Sequence, residues 1–295
     1  MSIFAVVLVV ISAIIHASWN LLGKSRTPTP AFFGLASLGA GILLSPVLVY
    51  VLSLPTSLPT AFWWLLLVSG FCQMVYMAAL ALAYQQADVG VVYPIARALP
   101  VLMVAVITAL FGHSLPVSVW VGMVVVTLGC LLVPLVTFKH WHWRAYTQLG
   151  CLWALVAAIG TAGYSVIDKS ALNLLVATDL PSWLVAMFYL GAQFLATGCW
   201  LSLFSVPRSG RKELAKVWQD RKIALVTGVM MGGTYGLVLF AMTLTDNVSY
   251  IVALRQLSIP VGVALGIWLL KEPPHRPRVI GAALVCMGLM AVSLR

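Results

Sequence analysis

Arg97 and Arg255 each stand inside a long apolar run, and each follows an aspartate by nine positions, Asp88 and Asp246. A guanidinium holds a carboxylate or phosphate through two parallel hydrogen bonds. A charged side chain near the centre of a membrane helix costs about 2.5–3.5 kcal/mol, so each arginine should face protein or a wet cavity. Two roles fit. The pair could anchor the acidic group of a substrate, or each arginine could tie down carbonyl ends or an acid such as Glu272. Asp88 and Asp246 are poor partners on their own helices, because nine residues amount to about 13 Å of rise.

Other polar side chains gather on helix faces. His16, Trp19 and Asn20 fall at i, i+3 and i+4, and Thr161, Tyr164, Ser165 and Asp168 repeat the pattern. Such a face avoids lipid, either by lining a cavity or by hydrogen bonding between helices. His16 is the ionisable side chain well inside its run, suited to proton coupling or to being a satisfied buried histidine. Gln73 and Tyr76 share one stripe and Tyr235 belongs to another, each fitting core packing or a cavity wall. Tyr93, Tyr250 and Gln256 sit near the arginines as polar handles. Pro94, Pro100 and Pro260 predict kinks beside the two arginines.

The elements that must position these residues are membrane helices. The chain has 295 residues, of which 62% are hydrophobic and 8% charged, against about 25% charged in soluble domains. Ten apolar runs reach the roughly 20 residues that hydrocarbon thickness demands: 2–23, 31–53, 60–84, 89–111, 116–137, 146–167, 183–206, 222–244, 247–270 and 277–294. The chain also repeats itself. His16-Ala-Ser-Trp-Asn-Leu-Leu-Gly-Lys-Ser25 returns as Thr161-Ala-Gly-Tyr-Ser-Val-Ile-Asp-Lys-Ser170, and Gly122 and Gly129 return as Gly281 and Gly288. Five spans per copy is an odd number, so the second copy crosses the membrane in the opposite sense. The expected fold is therefore an all-α polytopic membrane protein, with ten transmembrane helices as two inverted five-helix repeats, residues 1–140 and 141–295.

The net charge of +10 does not point to nucleic acid. The odd-numbered connections hold thirteen of the 17 basic residues, among them Arg208, Arg211, Lys212, Lys216, Arg221 and Lys222. That is a positive-inside pattern, which predicts odd connections in the cytoplasm and a bacterial inner membrane. Five cysteines without ligand spacing predict neither disulfides nor a metal site. None of the seven acids is expected mid-span, which argues against proton-driven export of cationic drugs. No phosphate-cradling glycine loop accompanies a lysine, so ATP drive within the chain is not expected. No cofactor is expected, and no nucleophile–base arrangement marks an enzyme.

His16-Ala-Ser-Trp-Asn-Leu-Leu-Gly-Lys24, Gly90-Val-Val-Tyr-Pro-Ile-Ala-Arg97 and Val248-Ser-Tyr-Ile-Val-Ala-Leu-Arg-Gln256, joined by the duplicated layout, resemble the EamA-type members of the drug/metabolite transporter superfamily. The resemblance covers essentially the whole chain. It implies spans 1–4 and 6–9 around a central cavity, spans 5 and 10 packed peripherally, and alternating access for substrates from amino acids to sugar phosphates and amphiphiles. Many relatives end the fourth span near a glutamate. Here His113-Ser114 stand at that place, while the second half keeps Glu272.

The expected function is secondary transport of a small anionic or zwitterionic metabolite by alternating access, with Arg97, Arg255, Trp19, Asn20, His16, Tyr164, Ser165, Tyr93, Gln256, Gln73, Tyr76 and Tyr235 as the expected substrate-binding residues. The expected partners are the lipid bilayer and a small molecule bearing a carboxylate or phosphate. The rival readings are a flippase for a lipid-linked sugar or other amphiphile, a membrane enzyme acting on a lipid phosphate, and a non-transporting subunit.

Overall fold

The computed structural model describes residues 2–23, 29–55, 57–86, 89–113, 115–138, 149–269 and 271–293; the side chains of 17–23, 89–91, 93 and 94 lie outside the description. Among these residues every regular element is helical. The first half comprises α1 (Ile3–Gly23), α2 (Pro30–Leu43), α3 (Ser45–Ser53), α4 (Thr60–Gln86), α5 (Val89–Leu110) and α6 (Val117–Leu132). The second comprises α7 (Leu149–Val176), α8 (Ser182–Ser205), α9 (Arg211–Gln219), α10 (Arg221–Thr243), α11 (Val248–Leu254), α12 (Ser258–Leu269) and α13 (Arg276–Ser293).

Six helical segments are long and apolar enough to cross a membrane: α4, α7, α8, α10, α11 with α12, and α13. The pair α2 and α3 qualifies as a seventh, bent by 48° at its break. Pro46 lies in the first turn of α3, where a missing N–H is harmless but the preceding helix cannot run on unbroken. Three apolar helical stretches are shorter: Ile3–His16, Ile95–Leu110 and Val117–Leu132. The connection from α8 to α10 carries α9, which packs on α2 and α10.

The helix pairs obey the duplication. α4 packs along α7 and α10 along α1; α5 lies on α7 and α12 on α1; α4 meets α8 and α10 meets α2. Exchanging the two halves turns each of these pairs into its companion. Two further pairs, α2 with α8 and α6 with α13, map onto themselves. Polar bonds stitch the halves together within this packing. Ser12 Oγ donates to the Thr234 carbonyl at 2.7 Å, and Thr108 and Ser249 share a hydroxyl pair at 2.8 Å.

The α6–α13 seam depends on the repeated glycines. A Cβ on Gly122 would stand 2.8 Å from the Gly288 carbonyl oxygen, and one on Gly129 would stand 2.7 Å from that of Gly281. Backbones this close leave no room for a side chain, as in other small-residue membrane contacts. Apolar side chains elsewhere cover the outside: Leu110 is 81% and Trp268 84% exposed, as a lipid-facing surface requires. Cys130 and Cys151 are buried packing residues, Cys72 is partly buried, and Cys199 and Cys286 lie on the outer surface.

α12 ends in a turn that closes on itself. Lys271 has φ of +53°, and the Glu272 N–H donates to the Gly266 carbonyl at 3.1 Å. The chain thus folds back over a left-handed residue, a conformation that glycine adopts without strain. Lys271→Gly should therefore raise stability by about 0.5–1 kcal/mol, read as a small upward shift of the melting temperature in detergent.

The sixth apolar run ends later than hydropathy suggests. α7 continues to Val176, nine residues beyond the expected 167. Asp168 therefore sits inside the helix and is completely buried, which corrects the expectation that no acid lies within a span. The argument from a missing buried acid against cation export lapses with it.

Candidate cavity between the two halves

The ninth apolar run does not continue as one α-helix. α11 gives way to a 3-10 turn at Arg255–Leu257 before α12 begins at Ser258. Pro260 explains the break, because it has no N–H to give to the Gln256 carbonyl four residues back. The turn leaves backbone oxygens open to other donors. The Arg255 carbonyl accepts from Ser258 Oγ at 2.9 Å and from Arg97 Nη2 at 3.5 Å. The irregularity expected beside Arg255 is therefore a 3-10 turn within one continuous helical span. α5, by contrast, runs through Pro94 and Pro100 as one helix.

Arg97 comes to this turn from α5. Its Nη2 donates to Ser258 Oγ at 2.6 Å, and its Nη1 lies 3.4 Å from His16 Nε2 on α1. Arg97 thus ties α1 of its own half to the turn before α12 in the second half. Arg255 turns toward α7 and α10. It donates to the Tyr164 hydroxyl at 3.5 Å and stands 5.4 Å from the centre of the Tyr235 ring, a cation–π distance. The Tyr164 ring packs between Tyr76, at 5.9 Å, and Tyr235, at 5.8 Å.

The two arginines line one cavity, together with Tyr76, Ala96, Thr161, Tyr164, Val252 and Gln256. Its free space for water centres is about 20 Å³, room for roughly a single water. The side chains in its wall that carry a full charge are the two guanidinium groups. Glu272, the acid that could have tied down an arginine, pairs instead with Arg278 at 2.8 Å. Among the described residues no carboxylate forms an ion pair with Arg255.

The remaining expected site residues fall into three groups. His16 and Tyr235 touch the arginines of the cavity wall. Ser165 is buried and bonds back to the Thr161 carbonyl at 2.7 Å, and Gln73 is buried on α4; neither lines the cavity. The side chains of Trp19, Asn20 and Tyr93 lie outside the described residues. Lys169 turns away and caps α10, donating to the Met242 carbonyl at 2.9 Å, a favourable place for a cation.

Sequence reasoning missed a second polar cluster behind the cavity. The Asp168 carboxylate accepts from the Ser69 hydroxyl on α4, from Tyr189 at 2.7 Å and Gln193 at 2.8 Å on α8, and from the Tyr235 hydroxyl on α10. Asp168 was visible on the Thr161 face, and Tyr189 and Gln193 are spaced i, i+4. Their meeting depends on packing among α4, α7, α8 and α10, which no local pattern reveals.

These helices make the chain a multi-pass membrane protein. It belongs to the EamA-like transporter family, whose model matches residues 3–135 and again 148–294. The two matches are the duplication seen in the residues. A solved chain described as the crystal structure of a protein shares the fold, with a TM-score of 0.73 at 18% identity over 99% of this chain and 98% of that one. No curated protein matches the sequence.

Proposed function

We propose that this protein is a secondary transporter of a small anionic or zwitterionic metabolite and that it works by alternating access. The observation that carries the reading is the cavity wall, where Arg97 of the first half and Arg255 of the second face the same small space. A carboxylate or phosphate entering it meets two guanidinium groups, with Tyr76, Tyr164 and Gln256 as further polar contacts. Asp168 lies outside the cavity wall, behind Tyr235. The space is too small for a metabolite, so substrate must enter after the halves move apart. Arg97 crosses the boundary to reach the Arg255 carbonyl, and rocking of one half on the other would break that contact first.

The rest of the arrangement follows from this reading. Ten spans form two inverted repeats, residues 1–140 and 141–295, and the basic odd-numbered connections face the cytoplasm of a bacterial inner membrane. His16, Trp19, Asn20, Tyr93, Ser165, Gln73 and Tyr235 complete the neighbourhood that an opened cavity would present. The family consists of transporters rather than enzymes, in keeping with this assignment.

Counterflow in proteoliposomes tests it, with panels of amino acids, organic acids and phosphorylated sugars. Exchange of at least one acidic solute is expected. Movement of lipid-linked substrates alone would replace this reading with the flippase. Failure of every panel member and of lipids would remove transport.

A further inference from the structure

The geometry points to Asp168 as a proton-binding site that couples this transporter to a proton gradient, with proton and acidic solute moving together. The inference rests on the anion-transport reading above.

Asp168 is completely buried, and its donors Ser69, Tyr189, Gln193 and Tyr235 are all neutral. No cation of the described residues forms an ion pair with it. Burying an unpaired carboxylate is expensive, and hydrogen bonds offset that cost only in part. The neighbours are ionisable or polar but uncharged on each packed helix: Ser69 and Cys72 on α4, Tyr189 and Gln193 on α8, and Tyr235 on α10. On α7 itself, Lys169 points to the Met242 carbonyl. α5 presents Arg97 to the cavity, and Arg255 stands behind the Tyr235 ring.

This shell can serve both protonation states. With Asp168 ionised, the hydroxyls and the Gln193 amide all donate to it. Gln193 Nε2 reaches both carboxylate oxygens at 2.8 Å, while Gln193 Oε1 is buried without a hydrogen-bond partner. The amide orientation is an assignment, and half a turn about its last bond would swap donor for acceptor. A protonated Asp168 then donates its new O–H to Gln193 Oε1. The proton balance is simple: a hydronium ion in the opened cavity gives a proton to the Tyr235 hydroxyl and is left as water, while Tyr235 passes its own proton to the Asp168 carboxylate. Release to the other side reverses both transfers.

Tyr235 also supplies the link to substrate. Its hydroxyl donates to Asp168 and its ring contacts Arg255. An ionised Asp168 offsets the charge of Arg255 across one tyrosine. A protonated Asp168 no longer does, which strengthens the pull of the cavity on an anion. By linkage, a bound anion then favours the proton to the same degree. One proton with a monoanion crosses without net charge.

Two measurements separate this inference from the reading beneath it. Infrared difference spectra of the protein in liposomes, without substrate, should show a carboxyl band that appears on acidification and is absent from Asp168→Asn. In Ser69→Ala, which removes one donor, the midpoint of that band should shift. Identical spectra of wild type and Asp168→Asn at every pH overturn the proton site. If Asp168→Asn does not fold, an unshifted titration in Ser69→Ala overturns it. The second measurement applies an inside-alkaline gradient to proteoliposomes with radiolabelled malate, alanine or a hexose phosphate outside. Wild type should accumulate whichever of these it exchanges. Asp168→Asn should keep counterflow within about threefold and lose accumulation. A wild type that exchanges but does not accumulate overturns proton coupling and leaves anion exchange standing. A wild type that exchanges none of them sinks the anion reading, and the substrate-free spectra still decide the proton site.

Discussion

Arg255→Gln should reduce counterflow of the preferred acidic solute roughly a hundredfold while the protein still folds. A charged partner lost from a buried hydrogen-bonded pair costs about 2–5 kcal/mol, and about 1.4 kcal/mol is a factor of ten. Glutamine keeps a donor for the Tyr164 hydroxyl, so the local packing is preserved. Arg97→Gln should lose a similar factor, but with some loss of stability, because Arg97 also holds Ser258 and the Arg255 carbonyl. Arg255→Lys should recover part of the rate, since it restores the charge without the planar fork. Initial counterflow rates at several solute concentrations check all three, and the loss should fall mainly on apparent affinity. Wild-type rates in both glutamine variants would reduce the arginines to structural residues.

Gly129→Leu should produce the largest stability effect outside the cavity. The added Cβ would meet the Gly281 carbonyl oxygen at 2.7 Å, and that atom belongs to backbone and cannot rotate away. α6 and α13 must then separate along the seam. Overpacking of this kind costs about 1–3 kcal/mol, sometimes more, equivalent to a fall of roughly 3–10 °C in melting temperature. No residue of the seam lines the cavity, so protein that survives should exchange solute with unchanged affinity. A thermal melt in detergent followed by counterflow below the transition reads both results. An unchanged melt would mean that the two helices do not meet through these glycines.

Much of the fold is legible in one dimension because lipid imposes it. Long apolar runs mark the helices, and Pro116 and Pro181 stand at the caps that begin α6 and α8. Repeated glycines foretell the α6–α13 seam because close backbone approach has few sequence solutions. Hydropathy fails where a helix is polar for a reason. Asp168, Lys169, Ser170 and Asn173 made the sixth run look finished, yet Asp168 bonds inside the packing, Lys169 caps α10 and the helix runs on to Val176. The bend between α2 and α3 passed unnoticed because Pro46 lies within an otherwise apolar run.

The cavity was partly legible for a similar reason. Arg97 and Arg255 stand out because charge in an apolar span demands an explanation, and Tyr164 and Gln256 could be placed by helical spacing. Ser258, which receives Arg97, and the donors around Asp168 carry no such signal. Each is an ordinary polar residue until helices distant in sequence bring it to its partner. Ser165 shows the converse: its place on the polar face is correct, but its hydroxyl turns back to its own helix.

The most direct test of the paired-arginine site is counterflow of a hexose phosphate and the matching uncharged hexose, or of malate and its neutral diamide, by wild type and by Arg97→Gln/Arg255→Gln. The account predicts that wild type prefers the charged member of at least one pair by roughly a hundredfold, and that the double substitution abolishes this preference. Equal exchange of charged and uncharged members by wild type, or an intact preference in the double variant, would contradict it.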